Sequence, residues 1–117
     1  MKIMIVDDDL AVRNLIKGII LHASKNPVEC VEYESGEDAV KNYMRVKPDY
    51  ILMDIEMGVM NGLDALKIIL SEDRNTKVIM VTSSDTPAHR DQAKQAGAIG
   101  FVSKGELSQI SKILFGQ

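Results

Sequence analysis

Five short apolar stretches recur along the chain: Ile3 to Val6, Val28 to Tyr33, Tyr50 to Met53, Val78 to Val81 and Ile99 to Val102. Each has strand length, and three are rich in the β-branched residues that suit a pleated, packed surface. The segments between them carry helical periodicity. Val12, Leu15, Ile16, Ile19 and Ala23 form one apolar stripe, and Leu63, Leu66, Ile69 and Leu70 form another. Ala39, Val40, Tyr43 and Met44 make a third, opened by Ser35-Gly36-Glu37-Asp38, which reads as a capping box. Thr86-Pro87 reads as an N-cap followed by proline at the first helical position, with Gly97 as the stop. Leu107, Ile110, Ile113 and Leu114 supply a fifth, short helix.

Strict alternation of strand and helix predicts βαβ units and a parallel sheet covered on both faces. The stretch at Val28 to Tyr33 is interrupted by Glu29 and Glu32, a half-wet character that fits an edge strand. The first, third and fourth stretches are continuously apolar and belong at the buried centre. A strand order of 2-1-3-4-5 satisfies both facts with right-handed crossovers. The fold class is therefore α/β, a doubly wound, five-stranded parallel sheet of flavodoxin-like order with five helices. In such a sheet the ligand crevice lies beyond the carboxyl ends of the strands, where the winding reverses between strands one and three.

That rim collects chemistry. Strand one is followed by Asp7-Asp8-Asp9, strand three by Asp54, strand four by Thr82-Ser83-Ser84 and strand five by Ser103-Lys104. Taken singly these have plain structural explanations, and Asp9 before Leu10 reads as a helix N-cap. Together they bring several carboxylates, a hydroxyl and an ammonium to one end of the sheet. Two carboxylates ~4 Å apart repel by about 4 kcal/mol at an effective dielectric near 20. Asp7, Asp8 and Asp54 clustered together therefore call for a cation or a bound proton. The ligands on offer are oxygens only, and few protein carboxylates with room for water and phosphate favour Mg²⁺ over Ca²⁺. A carboxylate beside Mg²⁺ can attack a phosphoryl group to give an acyl phosphate, with Lys104 and the Thr82 hydroxyl stabilising the other oxygens.

Composition narrows the partners. The 117 residues suit one domain, spanning 1–117, and 14 Lys+Arg against 17 Asp+Glu leave a net charge of −3. This mild acidity gives no support for direct contact with nucleic acid or an anionic membrane. No apolar run approaches the ~20 residues of a membrane span, and the brief N-terminal run leads straight into acids, unlike a secretory signal. Cys30 is alone, which excludes an intramolecular disulfide or a multi-cysteine zinc site. His22 and His89 have no partner at transition-metal spacing. A cytoplasmic protein is the expectation.

Ile5-Val6-Asp7-Asp8-Asp9, Pro48-Asp49-Tyr50-Ile51-Leu52-Met53-Asp54, Val81-Thr82 and Phe101-Val102-Ser103-Lys104 together resemble the receiver domain of bacterial two-component response regulators, of the chemotaxis type. The likeness covers the whole chain, in order and at the family's spacing. The 2-1-3-4-5 order is itself a known property of that family, so it counts as part of the likeness and not as an independent discovery. The resemblance implies that Asp54 accepts a phosphoryl group from a sensor histidine kinase or phosphotransfer protein. It implies that Asp7 and Asp8 hold Mg²⁺, Asp8 directly and Asp7 through water, with the backbone carbonyl of Glu56 completing the site. It further implies that Thr82 is the switch hydroxyl, Lys104 the lysine that contacts acceptor or phosphate, and Phe101 the aromatic switch residue. A downstream protein would then read the face made by the fourth helix, fifth strand and fifth helix.

The sequence departs from the family pattern at Gly58, where proline is usual, at Asn61, where aspartate is common, and at Gly105, where a cis-linked proline is usual. Glycine at 58 loosens the loop carrying Glu56. A cis bond before a non-proline residue costs about 2.5–4 kcal/mol, so a trans Lys104–Gly105 bond is expected. Phe101 lacks a tyrosine's hydroxyl and is expected to be buried even without phosphate. The segment Pro87 to Ala96 carries only small apolar residues, so its docking should be weak and its position switchable. Glu56 and Ser84, each two positions beyond a site residue, are candidates for tuning phosphoryl lifetime. Because the chain ends at Gln117, no output domain is expected and the signal leaves by binding, unless the chain was excised from a longer regulator.

The leading reading is a phosphorylation-dependent switch that catalyses only its own phosphorylation and dephosphorylation. An alternative enzyme reading is an aspartyl-phosphate phosphatase of the dehalogenase type, since Asp54-Ile55-Glu56 pairs a candidate nucleophile with an acid two residues on. Such enzymes carry the nucleophile on the first strand and have a cap domain. A flavin carrier is the third reading, disfavoured because an acidic rim repels a flavin phosphate.

Overall fold

The computed structural model describes residues 1–116; Gln117, the expected end of the domain, lies outside the described residues. The chain runs β1 (Lys2–Val6), α1 (Leu10–Ala23), β2 (Glu29–Tyr33), α2 (Gly36–Val46), β3 (Tyr50–Met53), α3 (Gly62–Glu72), β4 (Val78–Thr82), α4 (Pro87–Ala96), β5 (Gly100–Ser103), a 3₁₀ turn (Lys104–Glu106) and α5 (Gln109–Phe115). All strand pairs are parallel and the order is β2-β1-β3-β4-β5, as the alternation predicts. Strand limits differ from the apolar runs by a residue or two, because ladder hydrogen bonds continue past the last apolar side chain.

Side chains alternate across the sheet and build two cores. Met4, Val6, Ile51, Met53, Val78 and Met80 point to the face covered by Ala39 and Tyr43 of α2, Leu66 and Ile69 of α3, and Ala93 of α4. Ile3, Ile5, Leu52, Ile79, Val81 and Val102 point to the other face, against Ile16 and Ile20 of α1 and Ile110 and Leu114 of α5. Both faces of β1, β3 and β4 are dry, which explains their unbroken apolar sequences. Glu29 and Glu32 lie on the edge strand β2, as their charge demands.

The stripe expected on α1 is corrected by one position. Leu15 is exposed, whereas Ile20 is buried and so is Arg13. A helix stripe is wide enough that periodicity alone does not fix its centre. On α5, Ile110 and Leu114 are buried while Ile113 is partly exposed, and Leu107 precedes the helix in a turn.

The helix ends follow the sequence signals. Asp9, Ser35 and Thr86 accept backbone N–H bonds from Ala11, Asp38 and His89, and Gly97 ends α4 in the left-handed region. Asn61, at a position where aspartate is common in the family, caps α3 by accepting the N–H of Asp64.

Candidate functional site

Register delivers the site. Val6 pairs with Met53 across β1 and β3, so one residue further on Asp7 stands opposite Asp54 at the reversal of winding. The Asp54 N–H donates to the Val6 carbonyl at 3.0 Å, extending the ladder into the site. On the other side Thr82 pairs with Ser103, and Lys104 follows one position later. Asp7, Asp54 and Thr82 are all buried and Asp8 is exposed at the mouth.

Asp7, Asp8 and Asp54 each offer a carboxylate oxygen within 4.8 Å of the others. Lys104 reaches into this cluster, its Nζ 2.9 Å from Asp54 Oδ2 and 2.9 Å from Asp7 Oδ2. The first contact is a directed hydrogen bond. The second is a charge contact, because Asp7 Oδ2 accepts no directed hydrogen bond although it is buried. Burial alone would lower the Lys104 pKa, but the carboxylates of Asp7 and Asp54 outweigh it and raise it above the ordinary lysine value. The remaining carboxylate oxygens are held by the backbone: Asp9 N–H donates to Asp7 Oδ1 at 2.9 Å, and Ile55 N–H to Asp54 Oδ1 at 2.7 Å.

Three carboxylates less one ammonium leave two negative charges, the charge one divalent cation cancels. The donors are oxygens, and a buried carboxylate oxygen without a directed hydrogen bond is what a ligand position offers. These residues fit a hard divalent cation. Glu56 is exposed on the loop after Asp54, and its carboxylate is not one of the three that converge.

Thr82 is fully buried, and its Oγ1 accepts the Ser84 N–H at 3.1 Å. Ser84 in turn meets His89: the ring Nδ1 is 2.9 Å from both the Ser84 hydroxyl and the Ser84 carbonyl oxygen. Phe101 is half-buried and packs against the core on the face covered by α2, α3 and α4. From α4 the Arg90 guanidinium covers the ring at 4.7 Å from its centroid, and is anchored by Asp85 at 2.5 and 2.9 Å. Arg90 holds the exposed Asp85 carboxyl below its usual range.

Two backbone positions shape the rim. Gly58 has φ +39°, a conformation closed to the proline usual there, so the loop follows a path of its own and is not merely looser. Gly62 opens α3 against the site: a Cβ there would lie 1.8 Å from the Asp54 carbonyl oxygen, and its N–H donates to the Ile55 carbonyl at 2.7 Å. Sequence reading missed Gly62 as a site residue, and also Arg13 and Arg90. The Lys104–Gly105 bond is trans, as expected, since no cis peptide occurs among the described residues, and Lys104 reaches the acids from it.

Fold and rim define a class: an open, doubly wound α/β domain whose acids and single lysine converge at the winding reversal. The chain belongs to the response regulator receiver domain family, whose model matches residues 3–114. It is 38% identical over 103 residues to the chemotaxis protein CheY of Thermotoga maritima, covering 88% of this chain and 84% of that one. It is 39% identical over 104 residues to CheY of Bacillus subtilis, again covering 88% and 84%. A protein-glutamate methylesterase of Archaeoglobus fulgidus is 35% identical over 97% of this chain, a match that spans only 33% of that protein. Among solved structures, the response regulator domain of Thermotoga maritima CheB superposes with a TM-score of 0.83 at 31% identity, covering 99% of this chain and 91% of that one. The chain is thus a two-component signalling receiver of the chemotaxis type, a class whose signalling depends on phosphorylation. No helix among the described residues is long and apolar enough to cross a membrane.

Proposed function

We propose that the chain accepts a phosphoryl group on Asp54 and passes the signal through Thr82 and Phe101 to the face made by α4, β5 and α5. The observation that carries this reading is the convergence of Asp7, Asp8, Asp54 and Lys104. Asp54 Oδ1 is bound by its own chain, which leaves Oδ2, against Lys104, as the attacking oxygen. Attack on phosphorus forms the Oδ2–P bond and breaks the bond from phosphorus to the donor's leaving atom. Lys104 then follows the charge from the carboxylate to a phosphoryl oxygen. Asp8 would hold Mg²⁺ directly and Asp7 through water, with Asp54 and the Glu56 carbonyl completing the set; when bound, the ion would neutralise charge on the phosphoryl oxygens.

Thr82 exchanges its bond to the Ser84 N–H for one to a phosphoryl oxygen. That exchange disturbs the loop leading to α4, a helix that buries only Ala93 and is weakly held. Arg90 and Asp85 move with this loop, uncovering Phe101 and changing a cleft of about 320 Å³ lined by Arg90, Ala93, Lys94, Ile99 and Phe101. A downstream protein partner reads that change. A histidine kinase or phosphotransfer protein is the phosphodonor, and the chain turns over no external substrate. Asp54 ends β3 and not β1, so nothing in the geometry favours the dehalogenase-type phosphatase.

The test is amide and ring chemical shifts with Mg²⁺ and beryllofluoride, a phosphoryl mimic. Wild type should show changes around Asp54 and also at Phe101 and α4. Thr82→Ala should keep the first set and lose most of the second. Equal responses at α4 in both proteins would reject the coupling.

A further inference from the structure

Arg13 is a buried cation on a helix face that otherwise packs apolar side chains, and packing alone does not call for it. Its Nη1 donates to the Asp7 backbone carbonyl at 2.7 Å, in a buried contact, and its Nε donates to Glu32 Oε1 at 3.1 Å. Lys17 Nζ donates to the other Glu32 oxygen at 2.8 Å. Lys17 first, and then Arg13, hold the Glu32 carboxyl below its ordinary range against the opposing effect of burial. Glu32 itself is fixed on the edge strand opposite Ile5. The guanidinium is therefore braced between an edge strand and the first peptide beyond β1.

That peptide joins Asp7 to Asp8. It is planar, so a bond to the Asp7 carbonyl also sets the direction in which the Asp8 backbone leaves. The Asp7 N–H donates to the Tyr33 carbonyl at 3.1 Å, and Asp7 Oδ1 accepts from Asp9. With Arg13 on its carbonyl, Asp7 is held at its N–H, its C=O and one carboxylate oxygen. Only Oδ2 is left without a directed hydrogen bond. Asp8, though exposed, brings a carboxylate oxygen within 4.8 Å of those of Asp7 and Asp54, and its backbone leaves from this peptide toward Asp9, which is itself bonded to Asp7 Oδ1.

We propose that Arg13 is a positioning residue for the acidic corner, fixing the Asp7–Asp8 peptide so that the two carboxylates are set for a divalent cation. This rests on the reading of Asp7 and Asp8 as the Mg²⁺ pair. Its sign separates it from simple electrostatics. Arg13 is positive, so on charge alone its removal would strengthen cation binding; a positioning role requires weakening. Loss of groups that orient metal ligands costs roughly 10–100-fold in affinity, and that is the expected range.

The experiment is Mg²⁺ titration of the full chain, followed by the Asp8 and Asp9 amide shifts, with denaturant unfolding of the same proteins. Arg13→Met should raise the Mg²⁺ Kd by roughly tenfold or more and shift the Asp8 amide before any metal is added. Glu32→Gln leaves the Arg13–Asp7 bond and should lower stability with a much smaller change in Kd. Arg13→Lys keeps charge and reach without the fork, and should fold and fall between wild type and Arg13→Met; it carries the test if Arg13→Met does not fold. An unchanged or tighter Kd in the folded Arg13 variants, or equal changes in the Arg13 and Glu32 variants, would overturn the proposal. A wild type that shows no Mg²⁺ response would overturn the metal reading and this proposal with it, and so is distinguishable from failure of Arg13 alone.

Discussion

The Lys104 ammonium lies 2.9 Å from Asp54 Oδ2 and 2.9 Å from Asp7 Oδ2, bridging residues 97 and 50 positions away in sequence. It offsets one of three neighbouring negative charges and, in the proposed function, would receive an incoming phosphoryl oxygen. These two roles predict effects of opposite sign. Lys104→Met should tighten Mg²⁺ binding, because a competing cation is gone, while slowing phosphorylation by acetyl phosphate roughly 10²–10³-fold. Isothermal titration and labelling kinetics on the same sample check both, and weaker binding together with an unchanged rate would contradict the assignment.

Asp8 is exposed where Asp7 and Asp54 are buried, so it is the carboxylate whose removal least disturbs folding. Asp8→Ala should leave the unfolding midpoint nearly unchanged and weaken Mg²⁺ binding by at least the roughly 10–100-fold that loss of a supporting group produces. A titration curve that overlays wild type would remove Asp8 from the metal site.

Gly62 has no room for a side chain, since an added Cβ would fall on the Asp54 carbonyl. Gly62→Ala must push β3 and α3 apart, at a cost of about 1–3 kcal/mol in stability. Because the displaced backbone is that of Asp54, phosphorylation should also fall, on the order of 10²-fold for a shift of about 1 Å. Denaturant unfolding and labelling rates would show the two losses together; full activity in a destabilised variant would mean that the strain relaxes elsewhere.

Glu32 gives the acid limb of stability a definite shape. Its neighbouring charges are Arg13 and Lys17 from α1, with Cys30 two residues away on its own strand. Its folded carboxyl titrates below the unfolded value, so its contribution is fully present above the unfolded pKa of about 4.3 and is lost as pH falls through the lower folded value. Wild type should therefore be more stable than Glu32→Gln at pH 6, with the gap closing below about pH 4. Thermal unfolding between pH 6 and 3 measures this, and a gap independent of pH would assign the effect to packing. The exposed Asp85–Arg90 pair should add little to the same limb.

Much of this is legible in the sequence. Unbroken apolar runs mark β1, β3 and β4 because both of their faces are dry, and the polar residues after them mark one rim because parallel strands all end on the same side. Most of the misses depend on contacts across elements, and one on the width of a helix stripe. Arg13 reads as a polar helix residue until its guanidinium is seen on the Asp7 carbonyl. Ile20 and Leu15 exchange places because a helix stripe fixes a face only to within a residue. Gly62 looks like an ordinary helix start, and its signal is a distance to Asp54. The cover over the Phe101 ring comes from an arginine eleven residues earlier, on a neighbouring helix.

Intact mass after incubation with acetyl phosphate tests Asp54 and its cation most directly, using wild type with Mg²⁺, wild type with EDTA, and Asp54→Asn with Mg²⁺. A single phosphoryl adduct is predicted in the first sample and none in the other two. An adduct on Asp54→Asn, or labelling at the same rate in EDTA, would contradict the proposed chemistry.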